Sequence, residues 1–191
     1  MNLIEITKSR LRQKLLTYFF TNPSSHLYVR EIAVMLHEDA GNLSKELKKL
    51  ERRGIFASSV TGKQKHFSLN KKHPLYKELR SIIFKTVGVE GALKKIISST
   101  EGIVLSFIYG SFAMDRQNSS SDIDLLIVGN PAEDKLMEKI ESLEKKLLRE
   151  INYNIYQKRE FSDRIKKKDS FIMNIIKRQK IILKGSVNEF C

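Results

Sequence analysis

The sequence contains no tryptophan, three prolines and a single cysteine, Cys191. One cysteine cannot form an internal disulfide, and it cannot supply a cysteine-rich zinc site. No apolar run approaches the roughly 20 residues that a membrane-spanning helix needs. The first residues include acidic Glu5 and lack the apolar centre of a signal peptide. We therefore expect a cytoplasmic protein with no membrane partner.

Positive charge is distributed unevenly along the chain, whose formal net charge is +13. Residues 1–85 hold 17 Lys and Arg and 7 Asp and Glu, a net charge of +10, whereas residues 86–191 hold 18 and 15, a net charge of +3. An excess confined to one part of a chain is typical of a nucleic-acid-binding domain. A lysine-rich surface that only aids solubility would give the same charge, so this observation leaves both interpretations open.

Three helices followed by a β-hairpin are predicted in the first part of the chain. Apolar residues recur at helical spacing in two segments, 8–21 and 27–36. Asp39 is a suitable N-cap for a third helix, which ends before Gly54. The next two segments, IFASSV and KHFSLN, have the period of strands and flank a turn over residues 61–64.

The third predicted helix has an apolar face, formed by Leu43, Leu47 and Leu50, and a polar face opposite to it. The order of helix, turn, basic helix, glycine and basic hairpin resembles the ArsR-type winged-helix regulators over about residues 8–70. This resemblance implies an N-terminal winged helix-turn-helix domain, residues 1–74, that binds double-stranded DNA. The expected DNA-binding residues lie on the polar helix face and the hairpin: Asn42, Ser44, Lys45, Lys48, Lys49, Arg52, Lys63 and Lys65. A winged helix that serves only protein–protein contact stays open as an alternative.

Strands and helices alternate in the rest of the chain. Residues 75–98 predict a connecting helix, and residues 99–191 a second domain. The predicted strands of this domain are 103–109, 122–129, 151–156 and 180–185. The predicted helices are 133–149 and, over 160–179, one broken helix or two short ones. This alternation indicates an α/β or α+β fold with a small mixed sheet flanked by helices.

The segment FIYGSFAMDRQNSSSDIDLLIVG contains the residues that predict chemistry. Gly110 and Ser111 follow a buried strand, and Asp122 and Asp124 open the next one. Alternate side chains of a strand point to the same face, so the two carboxylates lie together and repel each other unless a cation sits between them. Hard oxygen ligands suit Mg²⁺ or Mn²⁺. The glycine lets phosphates approach the main chain, and the serine offers donors to them. Together these features predict nucleotidyl transfer from a nucleoside triphosphate.

At these residues the sequence resembles the minimal nucleotidyltransferases of the DNA polymerase beta superfamily, whose signature is Gly-Ser followed at this spacing by Asp-x-Asp. The resemblance extends over about residues 98–185. It implies that Asp122 and Asp124 are catalytic metal ligands and that Gly110 and Ser111 hold the β- and γ-phosphates. Relatives of this minimal class often act on a partner in toxin–antitoxin pairs, so we expect a small partner protein as the acceptor. The oligomeric state stays open, a homodimer included.

Two departures from the family pattern support a second hypothesis. Met114 and Asp115 stand where the family commonly has Arg-Gly. Asn152 stands near the place of a third metal-binding carboxylate, and Glu150 and Glu160 are the nearest acids that could replace it. Asparagine can ligate Mg²⁺ only through a neutral oxygen. The second hypothesis is therefore a transcriptional regulator whose nucleotidyltransferase domain binds nucleotide without turnover.

Other reactive residues give weaker signals. The lysine run 166–168 is typical of a solvated helix face, with a triphosphate or RNA contact as the alternative. Cys191 has no base near it in sequence and is expected to be an unreactive terminal residue. The four histidines show no ligand spacing: His26, His37, His66 and His73.

Overall fold

The computed structural model describes residues 9–114 and 121–190. The chain divides into two compact units, Met1–Val89 and Glu90–Cys191. Among the described residues, no helix combines the length and the apolarity that crossing a bilayer requires.

The first unit begins with three helices whose ends are set by polar caps. The helices are α1 (Arg10–Thr21), α2 (Val29–Leu36) and α3 (Ala40–Arg52). The side chain of Ser9 caps α1 by accepting from Arg12 N, and that of Asp39 caps α3 by accepting from Asn42 N. Each cap satisfies a main-chain N–H that has no partner inside its helix. Gly54 lies just beyond α3 with φ +73°, a conformation that favours glycine at a helix C-terminus.

A three-stranded antiparallel sheet completes this part of the first unit. The strands are β1 (Leu27–Tyr28), β2 (Phe56–Thr61) and β3 (Gln64–Leu69), in the order β1-β3-β2. The helix predicted from residue 27 thus starts two residues later. Leu27 and Tyr28 are extended because they pair with Phe67 and His66 of β3, and sheet pairing here overrides the helical apolar spacing of the segment.

The core of the first unit forms where α1 and α3 meet the sheet. Leu43 and Leu47 of α3 are fully buried and join a cluster with Phe19 of α1 and Phe67 of β3. Arg12 of α1 also forms an ion pair with Glu46 of α3, whose side chain is almost fully buried. This packing fixes which face of α3 points inward and leaves its lysines on the surface.

The segment 75–98, predicted as one connecting helix, forms two helices. They are α4 (Tyr76–Thr86) and α5 (Val89–Ser98). Between them, Gly88 N bonds to Ile83 O at 2.7 Å, and a Cβ on Gly88 would lie only 2.9 Å from that oxygen. The chain can turn this tightly because the residue is glycine. The domain boundaries expected at 74 and 98 stay predictions.

The second unit contains a four-stranded mixed sheet with helices, as the alternating pattern predicts. Its strands are β4 (Ile103–Tyr109), β5 (Ile123–Gly129), β6 (Ile151–Tyr156) and β7 (Ile181–Lys184), in the order β6-β5-β4-β7. β5 and β6 are parallel, and the other two pairs are antiparallel. After α5, the described part of this unit contains the helices α6 (Gly110–Ala113), α7 (Glu133–Leu147), α8 (Lys158–Lys166) and α9 (Ser170–Lys177) and a 3₁₀ turn (Val187–Phe190).

One face of this sheet is apolar over part of its length and polar where β5 begins. Leu126 and Val128 of β5 pack in a buried cluster with Phe161 of α8 and Ile172 of α9. Asp124 belongs to the same face by the alternation of a strand, and it is only partly buried. The carboxylates therefore stand at the edge of a packed apolar layer.

Candidate functional site

The candidate site lies where β4 ends and β5 begins. Tyr109, the last residue of β4, pairs with Asp124 of β5, and Gly110 follows with φ +72°. A Cβ on Gly110 would lie 2.2 Å from Oδ2 of Asp124. Glycine is thus required here twice, by its backbone conformation and by the approach of the carboxylate. Ser111 comes next in α6 and is partly buried.

Neighbouring β6 brings a neutral side chain to the two aspartates. Asn152 pairs with Asp124 in the parallel register of β5 and β6. Its Nδ2 donates a hydrogen bond of 3.1 Å to Oδ2 of Asp122, the residue directly before β5. Asn152 thus lies beside the paired carboxylates.

Electrostatics disfavour the charged form of one of these carboxylates. The pKa of Asp124 is raised, first because burial penalises its charge and second because the negative charge of Asp122 lies close by. A divalent cation would reverse this penalty, since it stabilises both charged carboxylates. Two carboxylate ligands with the glycine main chain beside them fit the donor chemistry of Mg²⁺ or Mn²⁺.

Neither acid considered as a replacement for the third carboxylate joins this pair. Glu160 lies on α8, where Oε1 pairs with Arg164 at 3.0 Å. Glu150 has an exposed side chain, and its main-chain oxygen accepts from Ile123 N. Within 9–114 and 121–190, no three His, Cys, Asp or Glu side chains are grouped as a metal site. Asp115 and Cys191 lie outside the described residues.

Two polar residues near the aspartates are not among the sequence predictions. Asn154, two residues beyond Asn152 on β6, donates from Nδ2 to the hydroxyl of Tyr109 at 3.2 Å. The pKa of Tyr109 is raised, chiefly by burial and then by the charge of Asp124. The alternation of asparagines in INYNIY is a signal for a polar strand face. The contact of Asn154 with a tyrosine on β4 depends on sheet order, which the sequence pattern does not give.

A buried arginine connects the two halves of the motif. Arg149, 7% exposed, donates from Nη1 to the main-chain oxygen of Ser121 at 2.7 Å. Its guanidinium also lies 5.7 Å from the ring centroid of Phe112 in α6. Leu148, directly before it, has φ +52°, an uncommon conformation for a non-glycine residue. This backbone turn ends α7 and directs Arg149 inward, and no sequence pattern signals it.

The expected DNA-binding residues are brought together on a surface of the first unit. Six of them lie on α3, opposite its buried leucines, and two lie at the hairpin. Ser44 is partly buried, and the others are exposed: Asn42, Lys45, Lys48, Lys49, Arg52, Lys63 and Lys65. Their role in DNA binding stays a prediction.

Two of these lysines already have anionic partners, and the first is Lys49, whose Nζ lies 4.0 Å from Oε2 of Glu46. Nζ of Lys65 lies 2.9 Å from Oε2 of Glu51 on α3, and Ser58 donates to the other oxygen of that carboxylate. These two hydrogen bonds, that of Ser58 first, lower the pKa of Glu51. Lys65 would have to leave Glu51 to bind a phosphate, whereas Lys63 sits at the turn itself.

Two of the histidines, His26 and His66, interact in a way that their spacing in the sequence does not predict. The rings of His26 and His66 stack with centroids 4.8 Å apart, and Nε2 of His26 hydrogen-bonds with Ser59 Oγ at 2.8 Å. These contacts join β2 and β3 to the residue before β1.

Comparisons with known proteins identify the second unit. The family model described as polymerase beta, nucleotidyltransferase, matches residues 92–187, just over half of the chain. The chain therefore belongs to the polymerase beta nucleotidyltransferase family.

Two solved structures show weaker similarity. A crystal structure of a toxin–antitoxin with AMP-PNP is 16% identical with a TM-score of 0.38, and the match covers 53% of this chain and 77% of that chain. A mutant of the toxin–antitoxin MntA–HpeT is 13% identical with a TM-score of 0.39 and the same two coverages. Among curated proteins, none matches the sequence significantly.

The contact of Gly110 with Asp124 predicts the effect of adding one methyl group. Gly110→Ala should lower the free energy of unfolding by about 1–3 kcal/mol more than Gly62→Ala. Both glycines have positive φ, so both variants carry the same kind of backbone strain. A Cβ on Gly62 meets no atom within 4 Å, whereas one on Gly110 meets the carboxylate. Urea denaturation of both variants measures the difference, and equal losses would contradict the crowding seen here.

Proposed function

We propose that the second unit transfers a nucleoside monophosphate from a nucleoside triphosphate to an acceptor hydroxyl. The observation that carries this proposal is the placement of Asp124 against the main chain of Gly110, with the charge of Asp122 close by, inside the segment that matches the family. In the reaction, the hydroxyl oxygen forms a bond to the α-phosphorus and loses its proton to solvent. The bond from the α-phosphorus to the bridging oxygen breaks, and pyrophosphate leaves.

The residues of the site have distinct roles in this proposal. Asp122 and Asp124 would hold Mg²⁺ or Mn²⁺, which when bound supplies positive charge to the phosphate oxygens and favours the deprotonated acceptor. Gly110 leaves room for phosphate oxygens at the main chain because it has no side chain. Ser111 offers its hydroxyl and N–H to the β- and γ-phosphates. Arg149 acts on the site indirectly, since it holds the carbonyl that precedes Asp122.

The acceptor that we propose is a hydroxyl of a small partner protein. This part rests on the resemblance of Gly110, Ser111, Asp122 and Asp124 to the minimal nucleotidyltransferases, whose relatives often act within toxin–antitoxin pairs. A second copy of the chain is the alternative partner, as a homodimer.

Turnover and its dependence on metal test the proposal directly. When ATP labelled at the α-phosphate is added with Mg²⁺ to the protein in a cell extract, the label should appear on protein. The Asp122→Asn, Asp124→Asn double variant should lower the rate of this transfer by about 100-fold or more, because it removes both charged ligands. The Asp134→Asn, Glu138→Gln variant removes two exposed acids of α7 instead and should keep wild-type transfer. If calorimetry measures the same ATP affinity in Mg²⁺ and in EDTA, the proposed role of the metal in nucleotide binding is wrong.

The neutral Asn152 favours a second candidate function. A nucleotide-sensing regulator needs binding without turnover, and the described residues bring only two carboxylates together. With one negative charge fewer, the site would hold a second ion weakly, while nucleotide binding through Gly110 and Ser111 would persist. ATP binding without label transfer to any acceptor would favour this function over transfer.

Restoring the third charge separates these two functions. Asn152→Asp should raise the transfer rate at limiting Mg²⁺ by about tenfold, because it adds a charged ligand beside Asp122. It should also lower the melting temperature in EDTA, because a third carboxylate adds repulsion. Asn188→Asp is the matched control, since it makes the same amide-to-carboxylate change at an exposed asparagine of the 3₁₀ turn, which the proposal does not use. A rate that does not rise above that of the control would mean that Asn152 is not at the third metal position.

We also propose that the first unit contains a winged helix-turn-helix that binds double-stranded DNA. Three features support this assignment: the exposed basic face of α3, the basic hairpin after it, and a net charge of +10 in residues 1–85. In such folds a helix enters the major groove and a hairpin touches the backbone. Contact with protein alone is the competing assignment.

The salt dependence of binding tests the DNA assignment. We expect weaker binding to duplex DNA from a full-length variant with three substitutions, Lys45→Ala, Lys48→Ala and Lys49→Ala. The slope of the logarithm of the DNA association constant against the logarithm of the salt concentration should fall in magnitude by about 2–3, because three phosphate contacts are lost. A control variant removes three exposed lysines of the second unit instead: Lys145, Lys146 and Lys177. If both variants lose the same affinity, the effect is one of net charge, and α3 does not read DNA.

A further inference from the structure

Phe171 differs from every other phenylalanine of the chain in its exposure. All ten phenylalanines lie in the described part, and nine are buried or partly buried. Phe171, the second residue of α9, is 42% exposed. Leaving a ring of this size in water forgoes the free energy that burial gives to an aromatic side chain. An aromatic ring that stays exposed beside a candidate site is available to a ligand.

The ring of Phe171 contacts Tyr109, a residue of the candidate site. Its centroid lies 6.0 Å from that of Tyr109, and the two planes meet at 82°. Tyr109 in turn pairs with Asp124 and directly precedes Gly110. Because the two planes are nearly perpendicular, Tyr109 covers at most one face of the Phe171 ring, and stacking requires one free face.

An amide also contacts Tyr109, at its hydroxyl. Asn154 is exposed, and it uses one Nδ2 proton to hold the hydroxyl of Tyr109. An asparagine amide has a second N–H and a carbonyl oxygen, the donor and acceptor that pair with the edge of a base. Phe171 and Asn154 thus form a row of aromatic and amide groups with Tyr109, which contacts both of them and pairs with Asp124.

We propose that this row is the nucleobase subsite, where the base of the nucleoside triphosphate stacks on Phe171 and Asn154 contacts its edge. The inference rests on the proposed function, because the carboxylates and Gly110 must hold the triphosphate next to it. A purine fits better than a pyrimidine, since its larger ring system covers more of the phenylalanine face. The subsite makes the affinity depend on the base as well as on the phosphates.

Inorganic triphosphate separates the base from the phosphates in a binding experiment. By calorimetry in Mg²⁺, the full-length protein should bind ATP more tightly than inorganic triphosphate. Phe171→Ala should weaken ATP binding by about tenfold or more, because a base–aromatic stack is lost, and should leave triphosphate binding within about twofold. Met137→Ala truncates another exposed apolar side chain, on α7, and should change neither affinity.

A tryptophan at the same position gives a second, spectroscopic measurement. The chain has no tryptophan, so Phe171→Trp introduces a single probe and keeps an aromatic face. Its fluorescence should be quenched by ATP and unchanged by triphosphate, whereas that of Met137→Trp should respond to neither.

The outcomes distinguish this inference from the function on which it rests. If the wild type binds neither ATP nor triphosphate, the proposed function is wrong, and the subsite falls with it. If the wild type binds both with one affinity, or if Phe171→Ala weakens both equally, the phosphate site stands and the base subsite is wrong.

Discussion

The antiparallel pairing of β4 with β5 is the constraint on which the candidate site depends. It sets Tyr109 opposite Asp124 and brings the carboxylate so close to Gly110 that a methyl group would lie 2.2 Å from it. One glycine therefore does two things: it lets the chain turn from β4 into α6, and it leaves the carboxylate beside open main chain. The apolar layer under β5 keeps this register, because a slip of one residue would turn Leu126 away from its cluster and Asp124 with it.

The carboxylates are held in place by contacts from outside their own strand. Arg149 holds the carbonyl before Asp122 and lies against the helix that follows Gly110, so one side chain connects both ends of the segment between β4 and β5. Asn152 fixes Asp122 from the other side. Burial and then the nearby charge of Asp122 raise the pKa of Asp124, so the arrangement disfavours its charged form. Contacts that hold two carboxylates close together favour the binding of a cation between them, because the cation offsets their repulsion.

The sequence predicts those parts of the structure that depend on local period. Strand alternation is enough to place Asp122 and Asp124 together, and a cap and three leucines are enough to orient α3. The sequence does not predict contacts between distant elements, because periodicity carries no information on the order of strands in a sheet. The hydrogen bond from Asn154 to Tyr109 crosses β5, the pair of Lys65 with Glu51 joins a hairpin to a helix, and the inward turn of Arg149 depends on the backbone of Leu148. Pairing with β3 likewise makes Leu27 and Tyr28 extended, against the helical spacing of the segment.

Asn152 shows how stability without metal and affinity for metal oppose each other at this site. A carboxylate there would strengthen the binding of cations, but without a cation it would add a third negative charge beside one whose charged form is already disfavoured. The amide avoids that repulsion and donates a hydrogen bond to Asp122 instead. In the metal site proposed here, an amide at this position gives less repulsion without a cation and weaker binding of the cation than a third carboxylate would. If the site binds divalent cations as proposed, its activity needs a higher cation concentration than that of a site with three acids, because its ions are held by fewer charges.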